Sequence, residues 1–203
     1  MDFVQRELLQ PPWGWSYVSV CLTVYIRARP KGALQISRGL CPQKPNSLSK
    51  PPPMPQSFSC VFIHLVFSTK YREPMLLDTF RADLHAYMAG ILKKVDCLPV
   101  AINSVEDHIH ILFALSRKVP LSQVVKEVKQ SSSKWIKGQH PSVRRFTWQR
   151  GYATFSVDAK GVHIVKRYIA KQREHHGRRS FKQEYRLFLD TYGAEYDEQY
   201  VWD

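Results

Sequence analysis

Two short motifs in the C-terminal half of the chain carry side chains that suit metal-assisted chemistry on phosphate. The first motif is Asp107, His108, Ile109 and His110. Alternate side chains of an extended strand share a face, so His108 and His110 lie side by side while Ile109 faces away. Two imidazoles held in this way can bind a divalent metal ion. Taken alone, the pattern also fits two polar residues on a solvated strand face.

The second motif pairs a tyrosine with an amide, Tyr168 and Gln172. Residues four apart on a helix stack on one face, so these two side chains project together. We expect the apolar residues Val162, Val165 and Ile169 on a different face, which would leave Tyr168 accessible. The alternative is that Tyr168 packs in the core, as tyrosines on amphipathic helices usually do. Two histidines, an amide oxygen and a tyrosine nucleophile together suit the cutting and rejoining of DNA strands.

The sequence from residue 54 to residue 203 resembles the IS200/IS605 family, the single-tyrosine (Y1) transposases with a His-hydrophobic-His (HUH) motif. Four parts carry the resemblance, in the family's order and approximate spacing: residues 54–70, residues 106–110, residues 148–157, and the pair Tyr168 and Gln172. The resemblance implies that Tyr168 is the catalytic nucleophile and forms a 5′-phosphotyrosine intermediate. It also implies metal ligands at His108, His110 and Gln172, with Mg²⁺ or Mn²⁺ as the cofactor.

The resemblance further implies partners. These are single-stranded DNA hairpins at the ends of an insertion sequence, and a second copy of the chain in a homodimer. The tyrosine helix would complete the metal site of its own subunit (cis) or of the other subunit (trans), and the sequence leaves both open. One alternative function is that of a domesticated relative that processes genomic palindromes. Another is a non-catalytic nucleic-acid-binding module, in which the two histidines are only polar surface.

Charge supports a nucleic-acid partner. The chain of 203 residues has a net charge of +13, and residues 54–203 hold 23 basic and 15 acidic residues, or +8. A basic balance of this kind is typical of proteins that meet phosphates. For any single basic residue, a solvated surface position is the simpler interpretation. The candidate DNA-binding residues are Lys129, Ser132, Lys134, Arg150 and Lys171, with Trp135, Trp148 and Tyr152 as candidates for stacking on unpaired bases.

Two further polar residues are predicted to have structural positions rather than to bind metal. Asp107 is predicted to lie in a turn or to orient an imidazole rather than to bind metal itself. His64 lies in the first predicted strand, and we expect it to be a hydrogen-bonded histidine of the core or of a sheet face.

The pattern of apolar residues predicts an α+β fold. The order is strand, helix, strand, strand, helix, strand, helix, which suits a ferredoxin-like split βαβ sheet with helices on one face. A C-terminal helix would then carry the tyrosine. The predicted strands are 58–68, 100–105, 108–115 and 153–157, and the predicted helices are 78–95, 120–138 and 158–174, with Asp78 and Asp158 as caps.

Residues 1–53 differ from the rest of the chain. They hold 8 of the 13 prolines and no histidine, with no helical period, which predicts disorder. The expected explanation is a translation start at Met54, and the alternative is a genuine tail with one strand at residues 16–26. The apolar run at residues 17–26 is too short to span a membrane. Four cysteines without regular spacing predict free thiols and a cytoplasmic protein.

Overall fold

The computed structural model describes residues 58–172, 180–198 and 201. Within these ranges four strands form one antiparallel sheet: β1 (Phe62–Ser68), β2 (Leu98–Ser104), β3 (His108–Ala114) and β4 (Ala153–Val157). Four α-helices accompany them: α1 (Asp78–Lys94), α2 (Leu121–Gln139), α3 (Val162–Ala170) and α4 (Phe181–Thr191). The spatial strand order is β2-β3-β1-β4. This order, with α1 and α2 as crossovers, confirms the predicted ferredoxin-like arrangement.

The two central strands are buried along their whole length. Their aliphatic and aromatic side chains favour extended backbone, and β1 hydrogen-bonds to both β3 and β4. The β1–β3 register pairs Val66 with His110 and Ser68 with His108. The two histidines therefore lie at one end of the sheet centre, in a position fixed by a complete hydrogen-bond ladder.

The first face of the sheet is covered by α1 and α2. Residues of β3 that alternate with the histidines, Ile109, Ile111 and Phe113, all lie in the apolar cluster on this face. This confirms the predicted separation of an apolar face from a histidine face. The helices supply buried residues at helical spacing: Phe80, Leu84, Met88, Ile91 and Leu92 from α1, and Val124, Val125, Val128 and Ile136 from α2.

The second face is covered by α3 and α4. The sequence predicted a C-terminal tyrosine helix without assigning it to a face of the sheet, and α4 was missed. Both helices bury apolar residues against the sheet: Val162, Val165 and Ile169 from α3, and Phe181, Tyr185, Phe188 and Leu189 from α4. The helices of this fold therefore lie on both faces of the sheet.

Several predicted boundaries and caps are wrong. Strand β2 begins at Leu98 rather than at residue 100, and the N-cap residue of α1 is Leu77 rather than Asp78.

Strand β1 and helix α3 also begin later than predicted. Strand β1 begins at Phe62 rather than at Phe58, whose side chain is 88% exposed. Helix α3 begins at Val162, and its N-cap residue is Gly161. Asp158 instead forms a turn, in which its carbonyl oxygen accepts a hydrogen bond from Gly161 N at 2.8 Å.

Several expectations concern residues outside the described ranges. Residues 1–57 lie outside these ranges, so the predicted disorder, the start at Met54 and the tail strand stay predictions. The cytoplasmic location also stays a prediction. Among the described helices, none has the length and apolar character needed to cross a membrane. Cys97 is a buried free thiol, whereas Cys60 is disulfide-bonded, so the prediction of free thiols is wrong for Cys60.

Candidate active site

His108 is oriented by a neighbouring carboxylate. Its Nδ1 lies 2.6 Å from Asp107 Oδ1, and Arg72 donates to Asp107 Oδ2 from Nη2 at 2.6 Å and from Nε at 3.0 Å. Burial alone would raise the pKa of Asp107, but hydrogen bonds and charge from His108 and Arg72 lower it to about 2. An ionised carboxylate only accepts, so His108 donates from Nδ1, and in its neutral form the ring would carry the lone pair on Nε2. Asp107 thus has the orienting position that the sequence predicted.

His110 is oriented by a second histidine. Its Nδ1 lies 3.0 Å from His64 Nε2, and the two rings stack with centroids 5.2 Å apart. Burial lowers the pKa of His64 to about 3, so His64 is neutral and its Nε2 can accept a hydrogen bond from His110 Nδ1. His110 Nε2 then carries the lone pair that a metal ligand needs. His64 is buried and hydrogen-bonded, as expected.

A carboxylate from α4 completes a cluster that the sequence analysis missed. Glu184 Oε1 lies 3.7 Å from His110 Nε2, and one ligand atom each from His108, His110 and Glu184 lie within 4.8 Å of one another. Burial, together with the charge of Asp107, raises the pKa of Glu184 to about 8. The Glu184 carboxyl group is therefore protonated at neutral pH. Once it loses that proton, two imidazole nitrogens and a carboxylate form a donor set that binds divalent metals.

A local signal for α4 does exist in the sequence. Ser180 accepts a hydrogen bond from the Gln183 backbone while the Gln183 side chain bonds back to Ser180, which is a capping box. Aromatic residues follow at helical spacing, at Phe181, Tyr185 and Phe188. These features predict a helix, but they do not predict which sheet face it covers.

Helix α3 brings Tyr168 close to His110. The centroids of their rings lie 6.0 Å apart at 78°. Tyr168 is only 7% exposed and packs in the same cluster as Val165 and Ile169, so the expected separate face is wrong. The reason is that residues three apart on a helix are neighbours. Gln172, one turn beyond Tyr168, is fully buried.

Asn103 anchors the end of α3 and was not predicted. Its Nδ2 donates to Ile169 O at 2.7 Å, and it pairs with His110 across β2 and β3. The side chain thus satisfies a carbonyl in the last turn of the helix, which has no partner within the helix itself. The same contact fixes the turn that bears Tyr168 beside the histidines.

Helix α4 closes the site. Phe181 stacks on His108 with ring centroids 4.2 Å apart, and Phe188 lies 6.0 Å from Tyr168. His108 and His110 are fully buried. A phosphate group therefore cannot reach these histidines while α3 and α4 cover them as they do here.

Two of the predicted DNA-binding residues are used inside the protein. Lys129 Nζ donates to three successive carbonyls, of Gln149 at 2.8 Å, Arg150 at 3.0 Å and Gly151 at 2.9 Å. Burial lowers the pKa of Lys129 to about 8. Ser132 Oγ donates to Val128 O at 2.5 Å. These contacts argue against direct DNA binding by Lys129 and Ser132.

The other candidates differ in exposure. Lys134, Arg150 and Lys171 are exposed on the surface. Of the candidate stacking residues, Tyr152 is 40% exposed and Trp148 only 5%. Trp148 donates from Nε1 to Ser132 Oγ at 3.0 Å, so it is a buried structural residue. Trp135 stacks on Tyr87 with ring centroids 5.4 Å apart.

Comparisons with known proteins identify relatives. The family model described as "Transposase IS200 like" matches residues 57–172. One similar solved structure is a proposed transposase from Deinococcus radiodurans R1, with 21% identity and a TM-score of 0.49, covering 59% of this chain and 98% of that chain. Another is a REP-associated tyrosine transposase bound to a REP hairpin, with 15% identity and a TM-score of 0.47, covering 61% and 73%. No curated protein sequence matches the chain.

Proposed function

This chain belongs to the IS200-like transposase family, and on that premise we propose that it cuts and rejoins single-stranded DNA at the ends of an insertion sequence. The observation that carries the proposal is the position of Tyr168 beside His110, with ring centroids 6.0 Å apart. The proposed nucleophile and two proposed metal ligands therefore come from one sheet and one helix that pack together.

The residues present fit a divalent metal. His108 and His110 each use Nδ1 in a hydrogen bond, which directs Nε2 toward a ligand. Glu184 adds a carboxyl oxygen within 4.8 Å of a ring nitrogen of each histidine, and Gln172, buried two residues beyond the end of α3, is kept as a proposed further ligand. Mixed nitrogen and oxygen donors of this kind suit Mn²⁺ or Mg²⁺. Such an ion, when bound, would polarise the phosphate that is to be cut.

The chain's own residues would then carry the covalent step. The Tyr168 phenol oxygen, once it has lost its proton, forms a bond to phosphorus, and the bond from phosphorus to the 3′ oxygen breaks. The products are a 5′-phosphotyrosine and a strand that ends in a 3′-hydroxyl. Because the phosphodiester energy is kept in the tyrosine bond, attack by another 3′-hydroxyl rejoins DNA and releases Tyr168 without ATP.

We propose a cis site. Tyr168 and His110 come from the same chain in this structure, so a second subunit is not needed to bring them together. The homodimer expected from the family stays a proposal, and its role would be to hold two DNA ends rather than to complete one site.

The proposed DNA substrate is a hairpin with an adjoining single strand, held by exposed cations. Lys134, Arg150 and Lys171 are the exposed members of the predicted set. Contacts from such residues to phosphates give affinity that falls as salt rises.

A covalent-adduct assay tests the function. The full chain is mixed with a labelled single strand that carries an imperfect hairpin from the DNA flanking its own gene, with Mn²⁺ or Mg²⁺. We expect a protein–DNA adduct that survives denaturing electrophoresis and is absent for Tyr168→Phe, while the control Tyr152→Phe still forms it. If the parent chain binds the hairpin but forms no adduct under any of these conditions, it is a nucleic-acid-binding module and the proposal fails. Hairpins scattered through the genome rather than flanking the gene would favour the domesticated relative.

A further inference from the structure

An open recess of about 470 Å³ lies between α2 and the segment that leads into β4. It is separate from the histidine cluster. The side chains around it that the argument uses are Gln130, Ser133, Lys134, Thr147, Trp148 and Arg150. No acidic residue lines it, and two of these six side chains are cations. Its volume lies within the range of about 300–1,000 Å³ that is usual for small-ligand sites.

The walls of the recess are built in advance. Lys129 holds one wall through its three bonds to the carbonyls of residues 149–151. Trp148 is held by its bond to Ser132 and packs edge-on against Phe67, with ring centroids 4.8 Å apart. A ligand therefore does not have to order these groups when it binds, which favours affinity.

The recess lies at the same end of the sheet as His108. Gln149, which also borders the recess, accepts a hydrogen bond from Ser68 N at 2.9 Å, and its own N donates to Ser68 O at 3.0 Å. Ser68 is the residue of β1 that pairs with His108. The recess and the histidine pair therefore lie near the same end of β1, with the pair covered by α3 and α4.

We propose that the recess binds one unpaired nucleotide of the strand that is cut. The base enters the recess, where Gln130, Ser133 and Thr147 offer donors and acceptors to its edge, and the flanking phosphates contact Lys134 and Arg150. A concave site of this size suits a single base, because a duplex presents its phosphates on a convex surface and its bases inside. This inference rests on the proposed function and assigns the substrate a second point of contact.

Binding without catalysis tests the proposal. Fluorescence anisotropy in EDTA measures the affinity of the full chain for a labelled hairpin with a single-stranded flank, and each flank nucleotide is replaced in turn by an abasic one. We expect one abasic position to weaken binding about tenfold, because it removes the hydrogen bonds that Gln130, Ser133 and Thr147 would make to the edge of the base. Ser133→Trp, which fills the recess, should weaken binding of the strand without abasic positions by a similar factor. In this variant the abasic position should cause no further loss of affinity. The matched control Ser122→Trp, at an exposed position of the same helix, should behave as the parent chain.

A second pair of variants keeps the test valid if Ser133→Trp does not fold. Arg150→Ala should weaken binding several-fold and reduce its salt dependence, whereas Lys93→Ala, on exposed α1 surface, should do neither. The proposal is overturned if no abasic position matters, if the abasic effect persists in folded Ser133→Trp, or if a ribo-oligonucleotide of the same sequence binds more tightly. If the parent chain cleaves DNA but neither the abasic positions nor the recess variants change its affinity, this inference alone is overturned. A recess effect without any covalent adduct would instead overturn the proposed function.

Discussion

The two faces of the sheet use the same central strands in different ways. Toward α1 and α2, strands β1 and β3 present apolar side chains only, in an unbroken core. Toward α3 and α4, apolar Val66 and Leu112 share the surface with His64, His108 and His110. The first face therefore stabilises the fold, and the second face carries the candidate chemistry on backbone that the first face holds in place.

The difference shows how polar groups can be buried at low cost. Burying a polar group without a partner is unfavourable by several kcal/mol in apolar surroundings. On the α3 and α4 face the polar groups come in bonded pairs, Asp107 with His108 and His64 with His110. The pairing also aligns each ring, so the same bonds that offset burial prepare the donors for a metal.

The largest expected effect is on the nucleophile. Tyr168→Phe should lower covalent-adduct formation by at least about three orders of magnitude, because it removes the attacking oxygen and little else. Hairpin affinity should change less than about threefold, since the ring still packs. Gel analysis of the adduct and anisotropy of the complex measure the two quantities. An adduct that persists in this variant would assign the role to another tyrosine.

A pair of neighbouring substitutions compares the two faces directly. His110→Ala should weaken Mn²⁺ binding at least about a hundredfold in calorimetry, and cleavage should be lost as it is with EDTA. Ile111→Ala, one residue further and on the other face, should lower the free energy of unfolding by about 2–5 kcal/mol while the folded protein still binds Mn²⁺. Equal loss of metal binding in both variants would mean that the faces are not functionally separate.

The residue that orients His108 should have a smaller effect. Asp107→Asn should weaken Mn²⁺ binding by about 10–100-fold. The neutral amide aligns the His108 ring less well and no longer increases the basicity of the nitrogen that binds the metal. Asp83→Asn, on the exposed surface of α1, is the matched control and should bind as the parent does. If calorimetry finds no change for Asp107→Asn, the hydrogen bond to His108 has no role in metal binding.

Asn103, which anchors the end of α3, should affect the rate of adduct formation rather than the affinity for metal. Asn103→Ala removes the bond to Ile169 O, so the last turn of α3 loses its fixed position beside His110. We expect adduct formation to slow by about tenfold, as small misplacement of a reacting group does, with Mn²⁺ affinity unchanged. A parallel fall in metal affinity would show that Asn103 supports the metal site itself.

The smallest expected effect tests whether the candidate active site on the α3 and α4 face is complete within one chain. Tyr168→Phe and His108→Ala proteins are mixed, and adduct formation is measured. In a cis site neither protein has both parts, so mixing should restore no activity. Recovery toward a quarter of the parent rate would show that the tyrosine helix is exchanged between subunits in a dimer.

Local periodicity was enough to predict much of this molecule. Strand alternation placed His108 and His110 together and Ile109 on the other face, because a period of two depends only on extended backbone. The order of strands and helices similarly predicted the ferredoxin-like sheet, and Asp107 was placed beside a histidine because the two are adjacent in sequence. Each of these features depends on residues that are close along the chain.

Tertiary packing decided the remaining features. Glu184 meets His110, and His64 meets His110 from 46 positions away, because two strands pair and α4 packs over them. Packing also buried Tyr168 and turned Lys129 inward, toward carbonyls that its own helix does not contain. A sequence read one segment at a time specifies which side chains an element offers. Which of them meet is set by burial of the apolar faces that join the elements, and that burial involves the whole fold at once.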